Sequence, residues 1–173
     1  EGDAITHRLR ASFRKFTGQS STLKAINLFV PESHLSQLQS HMPQSGFEYV
    51  RGRLLINGKL AKAKFRYRGD SYYRWAWNKK SIRVKTSKKK LFEGIRTFNL
   101  LAARSEEQLN NYLSYKLAEL MGLMAPRVEI VRVYLNGEDQ GVHFFVEQIN
   151  ELTLRHARRM PGDIYRGEIV AKD

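Results

Sequence analysis

The chain has 173 residues, 42% hydrophobic and 11% aromatic, which predicts one folded domain rather than a disordered chain. It has no cysteine, which excludes disulfide-rich and thiolate-zinc proteins, and no apolar run approaches the roughly 20 residues of a membrane span. The net charge is +13, and residues 51–104 carry 17 basic and two acidic side chains against 13 and 15 elsewhere. Such segregation favours a polyanionic partner over an ordinary solvated surface.

The first predicted elements follow a basic, polar lead-in over residues 1–22. A buried strand over residues 23–30 ends at Pro31, and a short helix follows over residues 33–41. From Tyr49 the pattern becomes that of a strand, and Asn57-Gly58 predicts a type I′ hairpin, because both residues tolerate the positive φ angles of that turn.

Basic residues alternate with apolar ones in the strand that returns from this hairpin. Period-two geometry places four cations on one face of it: Lys62, Lys64, Arg66 and Arg68. The strand over residues 81–86 repeats the pattern with Arg83 and Lys85. Because a cationic sheet face repels itself unless an anion covers it, we expect this face to bind phosphate groups.

The connection over residues 68–80 is rich in aromatic and basic residues. Gly69 and Ser71 suit a tight loop whose amides and hydroxyl hold an anion. The aromatic residues Tyr72, Tyr73, Trp75 and Trp77 would suit base stacking, although packing that anchors the loop is the favoured interpretation. The Arg-Gly-Asp triplet carries little weight by itself.

The second half of the chain predicts a capped helix and a further hairpin. Ser105 and Gln108 form a capping box for a helix over residues 106–121, whose apolar stripe predicts that it packs on the sheet. Strands over residues 128–135 and 142–149 flank an irregular turn, and a basic helix follows over residues 151–160. The apolar return strand contains Glu147, which either pairs with a cation or sits where the strand leaves the sheet. The predicted fold is therefore a single α+β domain over residues 23–173, mainly an antiparallel sheet with one long packed helix.

Residue spacing alone indicates no familiar catalytic or metal centre. The five histidines lack zinc-helix spacing, and the sequence has neither a Walker A motif nor a dinucleotide glycine fingerprint. From the residues themselves, the chain is an anion-binding module.

A series of segments nevertheless resembles the spore coat protein H (CotH) kinase family, an atypical protein-kinase-like fold. In chain order they are Arg68-Gly-Asp-Ser71, Lys79-Lys-Ser-Ile-Arg-Val-Lys85, Leu109-Asn-Asn-Tyr-Leu, Leu120-Met-Gly122, Ala125-Pro126, Val133-Tyr-Leu-Asn-Gly, Val146-Glu-Gln-Ile-Asn150 and Gly162-Asp-Ile-Tyr165. The resemblance covers residues 50–167. It departs from the family at Asn110, where Arg is usual, and at His143, where an aromatic residue is usual.

The resemblance implies a kinase amino-terminal lobe that binds ATP with Mg²⁺. The implied phosphate-binding residues are Arg66, Arg68, Ser71, Lys80, Arg83 and Lys85. Glu107 or Glu119 would orient Lys85, and Glu147 with Gln148 would lie near the adenine, at the hinge.

The family's catalytic and metal-binding aspartates are expected beyond the position of Tyr165. We therefore expect this chain alone to be inactive, and to be part of a larger protein with a carboxyl-terminal lobe or partner chain and a possible protein substrate. The resemblance also suggests a spore coat, cell-envelope or other extracytoplasmic location. The alternative hypothesis is a non-enzymatic module that binds nucleic acid, polyphosphate or an anionic envelope polymer.

Overall fold

Seven strands and three helices make up the computed structural model, which describes residues 22–40, 42, 48–69, 79–88, 91–103, 107–160 and 162–164. The elements are β1 (Lys24–Phe29), α1 (Glu32–Ser40), β2 (Val50–Ile56), β3 (Lys59–Arg68), β4 (Ser81–Thr86), β5 (Thr97–Ala102), α2 (Glu107–Leu120), β6 (Val128–Leu135), β7 (Glu138–Glu147) and α3 (Glu151–His156). The predicted lead-in, except for its last residue, lies outside the described part.

The strands close into a barrel in the order β1-β2-β3-β4-β5-β7-β6. Every neighbouring pair is antiparallel except β1 and β6, which run parallel from Lys24 opposite Val131 to Leu28 opposite Leu135. Asn136 strengthens this closure: its side chain accepts a hydrogen bond from the Val30 amide at 2.8 Å and donates one to the Val30 carbonyl at 2.7 Å.

Barrel closure makes the predicted fold class wrong. The expected α+β lobe, with one long helix packed on an open antiparallel sheet, is instead a mostly β structure with small helices. The closing pair joins strands about a hundred residues apart, and a pairing of that kind has no local signature in a sequence.

The barrel interior is apolar because inward residues alternate with outward ones along each strand. The largest fully buried side chains include Phe65, Phe98, Phe145, Ile26, Leu28, Leu54 and Leu100. The rings of Phe98 and Phe145 lie 4.6 Å apart between neighbouring strands β5 and β7. The side chains at the alternate positions of these strands therefore point outward, away from the core.

The predicted Asn57-Gly58 turn is confirmed, with φ angles of 49° and 73°. The irregular turn expected over residues 136–141 is wrong: Asn136 and Gly137, with φ angles of 50° and 87°, form a two-residue turn. Strand β7 therefore begins at Glu138 rather than at residue 142. A register shift opposite Val133 and Tyr134 accommodates the difference.

Helix α2 forms where expected but does not pack as expected. Gly122 ends it with a φ of 72°, and the Leu123 amide donates to the Ala118 carbonyl at 2.9 Å. The apolar stripe faces outward, however, with Leu113 52%, Leu117 58% and Leu120 85% exposed. The helix contacts the barrel through Tyr112, whose ring lies 6.0 Å from that of Phe144. In the described part of the chain, no helix is long and apolar enough to cross a membrane.

An ionic cluster joins β1, β6 and the tight turn before β5. Glu93 lies in that turn with a φ of 47°, and its carboxylate contacts Arg127 at 2.6 Å and Lys24 at 3.4 Å. Glu129 contacts the same two cations. Although desolvation opposes ionisation of Glu93, the hydrogen bonds and charges of Arg127 and Lys24 lower its pKa. These two carboxylates therefore form ion pairs with cations that lie outside strands β2, β3 and β4.

Candidate functional site

The outward side chains of β2, β3 and β4 form one cationic surface, which we call the basic face. It consists of Arg51, Arg53, Lys62, Lys64, Arg66, Arg68, Arg83 and Lys85. The predicted match between β3 and β4 is confirmed, because Lys64 lies opposite Lys85 and Arg66 opposite Arg83. Their binding of phosphate stays a prediction.

Strand β2 adds two cations that the sequence analysis did not assign to this face. Arg51 lies opposite Lys64 and Arg53 opposite Lys62, so the basic face spans three strands. The signal was present in the sequence, since Val50, Gly52 and Leu54 alternate with the two arginines.

Arg83 occupies the middle of the basic face and is half-buried. Its Nε donates a hydrogen bond to the side-chain oxygen of Asn99 at 2.8 Å. Burial, and then the positive charges of Arg66 and Arg68, lower the pKa of Arg83, while Tyr49 favours the charged form. Among the described residues Arg83 forms no ion pair. A buried guanidinium beside two like charges gains stability from an anion.

Arg66, Arg68 and Arg83 form what we call the arginine row of the basic face. Tyr49 contacts Arg66 of this row and Asn99 contacts Arg83, and the sequence analysis assigned a role to neither Tyr49 nor Asn99. The Tyr49 ring lies 5.0 Å from the Arg66 guanidinium and 5.7 Å from the Lys85 ammonium. Asn99 is buried and donates a hydrogen bond from its amide to the side-chain oxygen of Gln148 at 3.3 Å. The sequence contains one indication of this role, since Asn99 is the polar residue in the otherwise apolar run Phe98–Ala102.

The two predicted hinge residues face opposite sides of the barrel wall. Gln148 is connected to Arg83 through Asn99, on the outer side. Glu147 points inward at the end of β7 and accepts hydrogen bonds from the Thr153 hydroxyl at 2.9 Å and the Arg127 amide at 3.3 Å. Glu147 therefore sits where the strand leaves the sheet, with neutral donors satisfying its buried carboxylate.

The remaining predicted site residues lie nearer the ends of the strands. Arg68 ends β3 opposite Ser81, and Lys80 directly precedes β4. The Glu119 carboxylate contacts the Lys116 ammonium at 2.9 Å on the same helix. Ser71 and the side chain of Glu107 lie outside the described residues.

The residues that the structure describes include no group of three or more His, Cys, Asp or Glu placed to hold a metal ion. Magnesium commonly keeps several waters and binds through one or two carboxylates together with substrate phosphates, so the expected Mg²⁺ with ATP stays a prediction. The chemistry that the basic face offers is the binding of anions by cations.

Comparisons with known proteins agree with the motif series. The family model described as CotH kinase protein matches residues 65–172, more than half of the chain. A similar curated protein is the inner spore coat protein H of Bacillus subtilis (strain 168), which is 28% identical over 146 residues. The match covers 84% of this chain but 39% of that relative, so the chain spans well under half of the relative's length. The chain belongs to the CotH kinase protein family.

Proposed function

We propose that this chain is the nucleotide-binding portion of a CotH-like kinase, and that it holds the phosphates of ATP on the arginine row of the basic face. The observation that carries the proposal is the position of Arg83, which is half-buried beside Arg66 and Arg68 and held by a neutral amide rather than by a carboxylate. A guanidinium with this environment is suited to bidentate contact with phosphate oxygens.

The surrounding residues set an orientation for the nucleotide. Lys85 lies two residues beyond Arg83, about 7 Å along the same face of the strand. Arg68 and Lys80 lie at the opposite end, beside the 69–79 connection. Gln148 is linked to Arg83 through Asn99, on the side of Arg83 away from β3. The adenine would therefore lie toward Gln148 and the phosphates toward β3 and β4.

Phosphoryl transfer itself relies in kinases on metal ions and on a carboxylate that orients the acceptor. The role that we propose for the basic face is narrower: its cations bind the phosphates, and Asn99 orients Arg83. ATP would supply the phosphoryl group, and this chain would bind and orient it. The relative's name supports a spore coat as the location where a longer protein containing this chain acts.

Titration calorimetry of this chain with ATP tests the proposal, at about 150 mM salt so that exposed charges are screened. We expect saturable binding with wild type and binding weaker by at least about tenfold with Arg83→Gln, since one charged hydrogen bond contributes about 1.5–3 kcal/mol. Arg155→Gln is the matched control, because it removes the same charge from an exposed helix position.

The rival function, a non-enzymatic polyanion-binding module, gives a different result. Binding to nucleic acid would weaken steeply with salt, in proportion to the number of neutralised phosphates. It would also fall similarly for any cation removed from the basic face. If ATP does not bind while DNA binds with that salt dependence, the kinase assignment of this site is wrong.

A further inference from the structure

A cavity of about 900 Å³ lies at the other end of the basic face, away from the 69–79 connection. Its strand cations are Arg51, Arg53, Lys62, Lys64 and Lys85. Lys62 lies about 13 Å along β3 from Arg66, so most of the cavity is distinct from the arginine row. Lys85 is the residue that the cavity and the proposed ATP site share.

The cavity concentrates positive charge. Lys88 and Arg96, from the connection between β4 and β5, add to the five strand cations, giving seven cations and no Asp or Glu among its described lining residues. None of the seven forms an ion pair in the described part of the chain. The Nε of Arg96 is buried and, among the residues described, has no hydrogen-bond partner.

Three neutral polar residues of the cavity already have hydrogen-bond partners. His34 Nδ1 is hydrogen-bonded to the Arg51 carbonyl at 2.8 Å, and the Thr86 hydroxyl donates to the Arg96 carbonyl at 3.1 Å. Asn136 uses its side chain to hold Val30. The charged groups that line the cavity are all donors without an acceptor, so they suit a ligand rich in acceptors better than a nucleobase or a sugar, which also carries donors.

From this arrangement we propose that the cavity is a second anion site, which binds a cluster of phosphate groups without a nucleobase. A phosphate monoester carries about −1.5 to −2 charges near neutral pH, so about four such groups would balance seven cations. Carboxylates would have to number about seven in the same space. Charge density therefore favours phosphate over an acidic peptide.

Clustered phosphates have two sources, an inorganic phosphate chain or a multiply phosphorylated protein segment. The site does not require the proposed ATP site, because six of its seven cations lie outside that site and only Lys85 is shared. If the proposed kinase function is correct, however, a protein segment that has been phosphorylated several times could bind in the cavity and so remain close to the nucleotide.

The test uses calorimetry with two phosphate probes, inorganic tetrapolyphosphate and a peptide with four phosphoserines. The same peptide with serine or with glutamate at those positions provides the comparison. We expect saturable binding of at least one phosphate probe, and affinity at least about tenfold lower in the double variant Arg53→Gln/Lys62→Gln. Both substituted side chains are exposed. Lys88→Gln, outside the strands, is a second variant that should weaken the same probe.

Matched controls separate this site from the ATP site. The double variant Lys116→Gln/Arg155→Gln removes the same charge from exposed helix positions and should leave phosphate binding unchanged. Binding of both probes indicates that phosphate alone suffices, and binding of the peptide alone identifies a protein source. Equal binding of the glutamate peptide, no saturable binding, or equal loss of ATP binding in the Arg53→Gln/Lys62→Gln variant would overturn the proposal. The effect of Arg83→Gln on ATP is read separately, so either site can fail without the other.

Discussion

Arg83 and Asn99 face each other across β4 and β5, with the arginine Nε 2.8 Å from the asparagine oxygen. The Asn99 amide in turn donates a hydrogen bond to the side-chain oxygen of Gln148, the residue that follows β7. The Asn99 oxygen carries no charge. It therefore orients the Arg83 guanidinium without neutralising it, and the positive charge can be balanced by an anion. A substitution at Asn99 can therefore change the charge beside Arg83 while the guanidinium, which donates the hydrogen bonds, is kept.

Replacing Asn99 with aspartate should weaken ATP binding. A carboxylate at this position would pair with Arg83 and compete with phosphate, so we expect the affinity to fall about tenfold, or about 1.4 kcal/mol. Asn110→Asp, on the exposed side of α2, changes the net charge equally and is the control. Calorimetry measures both variants, and equal affinities would show that Arg83 does not contact the ligand.

Gly52 should not tolerate a side chain. A Cβ at this position would lie 2.4 Å from the Phe29 carbonyl oxygen and 2.7 Å from the Phe65 ring. We expect Gly52→Ala to reduce the free energy of unfolding by about 1–3 kcal/mol, the usual cost of overpacking. Urea denaturation measures the loss. Gly162→Ala, where a Cβ meets no atom of the described residues within 4 Å, should change stability little, and similar losses in both variants would contradict the packing described.

The outward stripe of α2 should contribute little to the stability of this chain. Leu113→Ala and Leu117→Ala remove side chains that are more than half exposed, so each should change the free energy of unfolding by less than about 1 kcal/mol. Leu100→Ala, in the fully buried core, should cost about 2–5 kcal/mol. A comparable loss at all three positions in urea denaturation would mean that the stripe is covered.

Glu93 should make stability depend on pH in the acid range. Because folding lowers its pKa below the ordinary value of 4.5, its contribution is present above that pH and is lost as the pH falls through the lower folded-state value. Glu93→Gln should therefore be less stable than wild type near neutral pH, by about 0.5–1 kcal/mol after solvent screening. The difference in free energy of unfolding should narrow as the pH falls below 4.5. A gap that stays constant would argue against the ion pair with Arg127.

Local patterns in the sequence predicted local features well. Asn57-Gly58 identified the turn between β2 and β3, and the alternation after it identified the cations of β3. The turn chemistry and the two-residue repeat depend on neighbouring residues alone, so they can be read without knowing the fold.

Features that depend on distant contacts could not be predicted in the same way. Tyr112 and Leu117 both belong to the apolar stripe predicted for α2, but the sequence does not show how much of that stripe the barrel covers: Tyr112 meets the sheet, whereas Leu117 is exposed. The place of Asn99 beside Arg83 depends on strand register, which the sequence leaves open. The parallel pair of β1 and β6 likewise appears only when the whole ring of strands is assembled.

Closure of the barrel also limits how this chain can associate with other proteins. Each of the seven strands has a hydrogen-bonded neighbour on both sides over part of its length, so none of them presents a full-length unpaired edge to a second chain. Strand addition, a common route to both peptide capture and aggregation, is therefore limited to short strand ends that pair on one side, such as residues 59–62 of β3 and 138–142 of β7. Association through the rest of the barrel wall relies on side chains, which makes it sensitive to salt at the cations.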